Sequence, residues 1–384
     1  MTPGHIIYLD NNATTACAPE VVAAMLPFFT EQFGNASSSH LAGRQAFRAV
    51  ENARENIASS LSVRPQEMFF NSGATEGNNW IFNAFTQCKI ADRKRVVVSS
   101  IEHRSVLDCA LRLRRFGFDV QLLPVTPYGV VDMAKAASLI TSETALVSVQ
   151  YANNETGVIQ PVAELTELTH AVGAFFHCDA VQGLGKAHLD LSSLLVDSAV
   201  FSAHKINGPK GVGALFIRGG ARNWRYELPI VGGGQENAIR PGTLNVPGIV
   251  GFGKAAELLH ANLTCDLHYM QTLRVGMESK MKAQLPHCQI HGENVPRLPN
   301  TTNVSLYGVP ADILISNLPL ICISSGSACN SGAINPSHVL SSMGLTDKVN
   351  RESIRISLSR ANTADHIADF LAELYAAYTR LPKS

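Results

Sequence analysis

The sequence lacks the patterns that mark a metal-built domain, a disulfide scaffold or a bilayer span. Its eight cysteines (Cys17, Cys88, Cys109, Cys178, Cys265, Cys288, Cys322 and Cys329) include no Cys-x-x-Cys pair and no metal-finger spacing, so no metal is expected. With 384 residues the chain is long enough for a full core, which removes the need for disulfides. No apolar run approaches the ~20 residues that span a bilayer. Met1–Asn12 has neither the basic segment nor the apolar stretch of a signal peptide. An excess of one charge is missing too: 31 Lys+Arg balance 31 Asp+Glu. Without a basic stripe, neither stable direct binding to nucleic acid nor contact with an anionic membrane is expected. Internal repeats and low-complexity segments are also absent. A cytoplasmic protein with reduced thiols is the expectation, and the question becomes whether one thiol is reactive.

What is present is alternation. Short apolar runs at Met68–Asn71, Arg95–Ser99, Asp119–Pro124, Leu146–Tyr151, Phe175–Asp179, Ser198–Ser202 and Gly213–Ile217 read as strands. Amphipathic stretches such as Ser105–Phe116 and Val162–Val172 read as helices between them. The pattern predicts an α/β domain with a large, mostly parallel sheet, whose functional loops lie beyond the strands' carboxyl ends. A long helical passage over Pro247–Leu285 leads into a second pattern of strand, helix and strand from Asn303. A Ser/Gly/Asn-rich loop over 324–336 and a last helix over Asp365–Leu381 follow. The expected division is a large domain over 13–259, and a smaller α/β lobe of 1–12 plus 260–384 that carries loop 324–336.

Ser202-Ala203-His204-Lys205 stands where a strand ends, before the turn Asn207-Gly208-Pro209-Lys210-Gly211. A crowded, desolvated lysine there can lose its proton and capture a carbonyl. A turn lysine beside a core histidine would carry the same four residues. Asp179, 26 residues earlier at the end of Phe175–Asp179, could pair with a protonated ring nitrogen or simply cap a helix. Asn71-Ser72-Gly73-Ala74-Thr75-Glu76 follows a strand and opens a helix, and its small residues let backbone N–H groups approach a phosphate. It is no Walker loop, since no Gly-Lys-Ser/Thr follows. In this order a phosphate cradle, a ring-nitrogen carboxylate and a carbonyl-capturing lysine suit pyridoxal 5'-phosphate.

Across the chain, the segments Tyr8–Thr15, Phe33-Gly34-Asn35, Ser72–Glu76, Glu102-His103, Asn153–Gly157, His177–Gln182 and Ser202–Lys205 stand in one order. Gly232–Glu236, Arg240–Thr243, Ser324–Cys329 and Ser353–Ser357 continue it. With these the sequence resembles the cysteine desulfurases of the NifS/IscS type, the long-loop group of the class V pyridoxal-phosphate aminotransferase family, from residue 8 to about 360. The resemblance implies an aspartate aminotransferase-like fold. It also implies conversion of L-cysteine to L-alanine, with the sulfur held on Cys329 as a persulfide. By the same resemblance Lys205 would carry the cofactor. Asp179 would pair with the ring nitrogen, and Gln182 and Asn154 would lie near the phenolic oxygen. His103 would stack on the ring and act as acid and base. Thr75, Ser202, His204 and the backbone at Ala74 would hold the phosphate. Thr243 would reach the phosphate in a neighbouring subunit, which implies a homodimer. Arg355, with Asn35 and Asn154, would bind the substrate carboxylate, a task suited to a planar guanidinium.

Two departures stand out: Ala36 where proline is common after Gly-Asn, and Asn330 after the cysteine where Thr or Ser is usual. The chain also stops at Leu381-Pro382-Lys383-Ser384, without the further tail that housekeeping iron–sulfur members use to dock a scaffold. The sulfur-acceptor protein is therefore open among iron–sulfur cluster assembly, tRNA thiolation and DNA phosphorothioation. Rivals are another reaction on the same cofactor (selenocysteine cleavage, transamination, kynureninase-type chemistry), a catalytically silent scaffold paralogue, and a plain structural α/β protein. The Ser324–Cys329 loop separates the first, since those reactions need no mobile nucleophilic thiol. The complete set of site residues argues against the other two.

Overall fold

The computed structural model describes residues 6–86, 93–226, 228–285, 287–325 and 336–383. After the two-residue strand β1 (Ile7–Tyr8) come seven strands of one sheet. They are β2 (Met68–Asn71), β3 (Arg95–Ser99), β4 (Asp119–Leu123), β5 (Thr144–Ser148), β6 (Phe175–Asp179), β7 (Ser198–Ser202) and β8 (Gly213–Ile217). Their spatial order is β2-β8-β7-β6-β5-β3-β4, and only β8 runs against its neighbours. Runs such as Val96-Val97-Val98 are fully buried. That continuous apolar character is what a parallel sheet covered on both faces demands. Helices Leu41–Ser60 and Val162–Ala171 contribute to the core on one face, and Ala74–Thr86 and Arg104–Leu113 to the core on the other.

The helix Val246–Gln284 is capped by Asn245, whose side chain accepts from Gly248 N. It packs closely on Leu41–Ser60 because Gly253 meets Ala53: a Cβ on Gly253 would lie 2.4 Å from Ala53 Cα. Its first turns bury Ile249, Phe252, Ala255, Ala256 and Leu259 in the large core. Residues 261–269 are all at least partly exposed, and then Met277 and Met281 enter a second core. One helix thus serves two cores.

The second core is built on β9 (Cys288–Ile290), β10 (Thr301–Leu306), β11 (Ile321–Cys322), β12 (Ser324–Ser325) and β13 (Ser353–Ser357). Four of these form an antiparallel sheet in the order β12-β13-β10-β9, while β1 pairs in parallel with β11. Two sequence expectations shift. Residues 324–336 were expected as loop throughout, yet Ser324–Ser325 pairs with Arg355 and Ile354 of β13. The strand expected at Leu146–Tyr151 is Thr144–Ser148; beyond it Val149 N and Tyr151 N still donate to His177 O and Asp179 O, while Gln150 N turns to Glu102 Oε1 at 2.7 Å.

Candidate active site

The carboxyl ends of β2, β3, β5, β6 and β7 open onto one cavity of about 570 Å3, closed on the far side by β13 and by residues 336–338. Ala74, Thr75, His103, Asn154, Asp179, Gln182, Ser202, His204, Lys205 and Arg355 all line it. Asn35 and Thr243 are exposed and do not line it. Cys329 lies outside the described residues.

β7 ends at Ser202, and a single 3-10 turn, Ala203–Lys205, brings the lysine into the cavity. Lys205 Nζ donates to Asn12 O at 2.6 Å and to Ala13 O at 2.7 Å. Asp179 ends β6 and is 7% exposed. Its Oδ2 accepts from Asn78 Nδ2 at 3.0 Å and its Oδ1 from Val181 N at 3.2 Å. Asn78 is fixed in turn by His177 Nε2 at 2.9 Å, and burial pulls His177 down to about 3, so that ring is neutral. Both donors to Asp179, Asn78 Nδ2 and Val181 N, are neutral.

The loop after β2 supplies a different chemistry. Gly73 has φ +149, a conformation L side chains rarely adopt, and a Cβ there would sit 3.5 Å from Ser202 Oγ. Ala74 N donates to that same Oγ at 2.9 Å. The helix Ala74–Thr86 begins here, and the first turn of a helix presents N–H groups without intrahelical acceptors. His204 Nδ1 lies 3.0 Å from Thr14 Oγ1. Burial, then Lys205 and Lys210, push His204 down to about 4, leaving a neutral ring. Arg240 Nε holds Glu76 Oε1 at 2.7 Å, which ties the Arg240–Thr243 segment to this helix.

At the opposite side, Arg355 projects from the middle of β13 and is 3% exposed. Its Nη2 donates to Asp10 Oδ1 at 2.6 Å and to Ser324 Oγ at 3.2 Å, and its Nη1 to Asn154 O at 3.2 Å. Its Nε is buried and has no partner among the described residues. A buried donor left so is costly unless a ligand completes it. His103 caps the helix Arg104–Leu113, with Ser105 N donating to Nδ1 at 3.1 Å. Nδ1 is therefore the acceptor, and the neutral ring carries its proton on Nε2.

Sequence reasoning missed four residues of this site. Asn12 O collects both Lys205 Nζ and Gln182 Nε2. Asn78 orients Asp179, and Lys186 anchors Gln182. Glu155 is buried at the cavity, and its Oε2 accepts from Ser337 Oγ at 2.5 Å. Burial pushes Glu155 up to about 7, against the pull of Ser337, Arg355 and His103. The available signals were Glu155 and Asn12 standing inside matched segments, and Lys186 standing four residues beyond Gln182.

The sequence profile of the family described as Aminotransferase class-V matches residues 7–370. A "Cysteine desulfurase" of Trichormus azollae is 40% identical over 374 residues, covering 96% of this chain and 92% of that protein. A "Cysteine desulfurase IscS" of Anaeromyxobacter sp. (strain Fw109-5) is 42% identical over 371 residues, covering 96% and 92%. A solved structure of a "NifS-like protein" superposes with a TM-score of 0.90 at 36% identity, covering 98% of this chain and 100% of that one.

Proposed function

We propose how this chain, which belongs to the class-V aminotransferase family and is a pyridoxal-phosphate-dependent cysteine desulfurase, divides its chemistry among its own residues. The observation that carries the assignment is convergence on one cavity. An amine (Lys205), a carboxylate met by the neutral donors Asn78 Nδ2 and Val181 N (Asp179), a glycine-opened helix N-terminus (Gly73–Thr75) and a buried guanidinium whose Nε has no partner among the described residues (Arg355) line the same space. These groups fit pyridoxal phosphate and an amino acid together. Gly73 holds φ +149, a conformation L side chains rarely adopt, as the chain turns into the helix at Ala74. The donors that meet Asp179, Asn78 Nδ2 and Val181 N, are neutral, so a protonated ring nitrogen would add a cation there.

Lys205 would hold the cofactor covalently, with Asn12 O and Ala13 O as acceptors for its amine when it is released. Thr75, Ser202, His204 and the N–H groups at Ala74 and beyond would hold the phosphate, and Asp179 the ring nitrogen. Gln182 and Asn154 would meet the phenolic oxygen, and His103 would stack on the ring. When bound, the cofactor supplies an electron sink that weakens bonds at the α- and β-carbons of the amino acid. Arg355 would bind the carboxylate of L-cysteine through Nε and one Nη, aided by Asn154, with Asn35 joining from outside the cavity of this single chain. His103, with its proton on Nε2, is placed to move a proton. The thiolate of Cys329 would form an S–S bond to the substrate sulfur as the Cβ–S bond breaks, and a proton would complete L-alanine. Lys205→Gln or Asp179→Ala should lower cofactor retention without unfolding the protein.

The assembly is a homodimer in this reading. Leu26, Phe29 and Phe33, large apolar side chains close together in sequence, are 60%, 60% and 74% exposed, Val231 is 85% exposed, and Thr243 is exposed as well. Sedimentation should report twice the chain mass. The lobes divide at 259/260 with 1–12 joining the second. A separate carrier or scaffold protein in the cytoplasm takes the sulfur. No described helix is long and apolar enough to cross a membrane.

The deciding experiment is a visible spectrum of the purified protein before and after L-cysteine, followed by mass analysis of Cys329. A band that shifts with cysteine and one added sulfur on Cys329 support the assignment. A coloured protein indifferent to cysteine points instead to another reaction on the same cofactor.

A further inference from the structure

Behind Lys205 lies a second lysine. Lys186 is 5% exposed, and its Nζ donates to Gln182 Oε1 at 2.5 Å and to Asn12 Oδ1 at 3.0 Å. Both partners are carboxamides, and neither offers a negative charge. A buried ammonium with no counter-ion is among the costliest groups in a protein. Burial, with Lys205 and Arg355 nearby, holds this amine well below the ordinary lysine range.

Its hydrogen bonds fix what Gln182 presents. Oε1 is occupied by Lys186, and one Nε2–H goes to Asn12 O at 3.2 Å. A carboxamide has two N–H donors, so one is left for the cavity that Gln182 lines. Asn12 is locked by the same hand. Its Oδ1 accepts from Lys186 and from Asn300 Nδ2 at 3.1 Å, and its Nδ2 donates to Thr301 Oγ1 at 2.8 Å. Its carbonyl receives Lys205 Nζ. The chain therefore runs from an amine outside the main cavity to two groups inside it.

We propose that Lys186 is a positioning residue for the cofactor, which aims the Gln182 N–H at the phenolic-oxygen side and aligns the Asn12 carbonyl with Lys205. This rests on the assignment of pyridoxal phosphate to the cavity. A hydrogen bond to the phenolic oxygen stabilises its anion and weakens that oxygen's hold on the proton of the lysine–cofactor linkage. Losing the aim of Gln182 should therefore raise the pH at which that linkage gives up its proton.

The test is the pH dependence of the visible absorption of the cofactor-loaded protein without substrate. Lys186→Met should raise the midpoint by about 0.5–1 pH unit, the scale of one hydrogen bond made to a single protonation state. In a Gln182→Ala background the same substitution should move the midpoint no further. If Lys186→Met yields no soluble protein, Lys186→Gln, too short to span both acceptors, is expected to shift in the same direction. A parent protein lacking the band overturns the cofactor assignment and this inference with it. A parent with the band and a variant with an unmoved midpoint overturns the role of Lys186 alone. A shift that persists in the Gln182→Ala background shows Lys186 acting by its field, and also overturns the inference.

Discussion

Replacing Arg355 with lysine keeps a cation on β13 and removes the fork. The parent guanidinium spends Nη2 on Asp10 and Ser324 and Nη1 on Asn154 O, and keeps a buried Nε without a partner among the described residues. A substrate carboxylate that takes Nε and an Nη hydrogen gains two charge-assisted bonds in one plane. A lysine ammonium has no second nitrogen to match them, and part of its charge stays with Asp10. One such bond contributes about 1.5–3 kcal/mol. Losing one, about 2 kcal/mol, corresponds to a roughly 30-fold rise in KM for L-cysteine. Arg355 does not touch the breaking Cβ–S bond in this reading, so kcat should change by less than about threefold. Initial rates of alanine formation against cysteine concentration separate the two constants, and L-alanine titrated against the visible band gives binding without sulfur transfer. A KM within twofold of the parent, or a fall in kcat at constant KM, would refute the placement of the carboxylate at Arg355.

The other predictions address the chemistry and the buried acid. Lys205→Ala should carry no covalently linked cofactor, seen as the absence of a borohydride-fixed mass adduct on that segment. Cys329→Ser should keep the cofactor and bind cysteine yet form no persulfide; sulfide release at the parent rate would remove Cys329 from the mechanism. Glu155 has a pKa raised from 4.5 to about 7 by burial. The folded state therefore binds its proton more tightly, and this stabilisation is complete below pH 4.5 and lost as pH rises to about 7, a difference of about 3 kcal/mol. Glu155→Gln mimics the protonated form, so its melting midpoint should gain on the parent between pH 5 and pH 8; an equal gap at both would contradict the shift.

The parallel sheet was legible because its strands are buried on both faces and so read as unbroken Val- and Phe-rich runs, as in β3 and β6. The strand-end residues were legible as chemistry because a lysine, a carboxylate and a glycine loop follow such runs directly. Asn12 and Lys186 were not. Each is polar, and nothing local marks a polar residue as buried; Asn12 meets Thr301 across 289 positions of sequence. β12 escaped for a similar reason, since Ser-Ser has no strand signature and pairs only because β13 lies beside it. Asn35 and Thr243, which the resemblance brings to the site, stand exposed in this single chain. The first is held locally, its Oδ1 accepting from Ser37 N, and the second lies on the segment tied to Glu76 by Arg240.

The charges of the cavity explain why two anions belong in it. Lys205, Lys210, Arg104 and Arg355 line it, against Glu76, Glu155 and Asp179. Glu76 is taken by Arg240, and burial raises Glu155 to about 7, which weakens its negative charge near neutral pH. Arg104 faces Asp108 at 3.8 Å and Arg355 faces Asp10, yet the guanidinium of Arg355 still holds back one donor. The donors that meet Asp179 are neutral, Asn78 Nδ2 and Val181 N. A ligand that is anionic at both ends and cationic in its middle satisfies that pattern: a phosphate toward Gly73–Thr75, a protonated ring nitrogen at Asp179, and a carboxylate at Arg355. Pyridoxal phosphate joined to an amino acid carries its charges in this order, whereas a sugar phosphate offers no cation for Asp179 and a dinucleotide no carboxylate for Arg355.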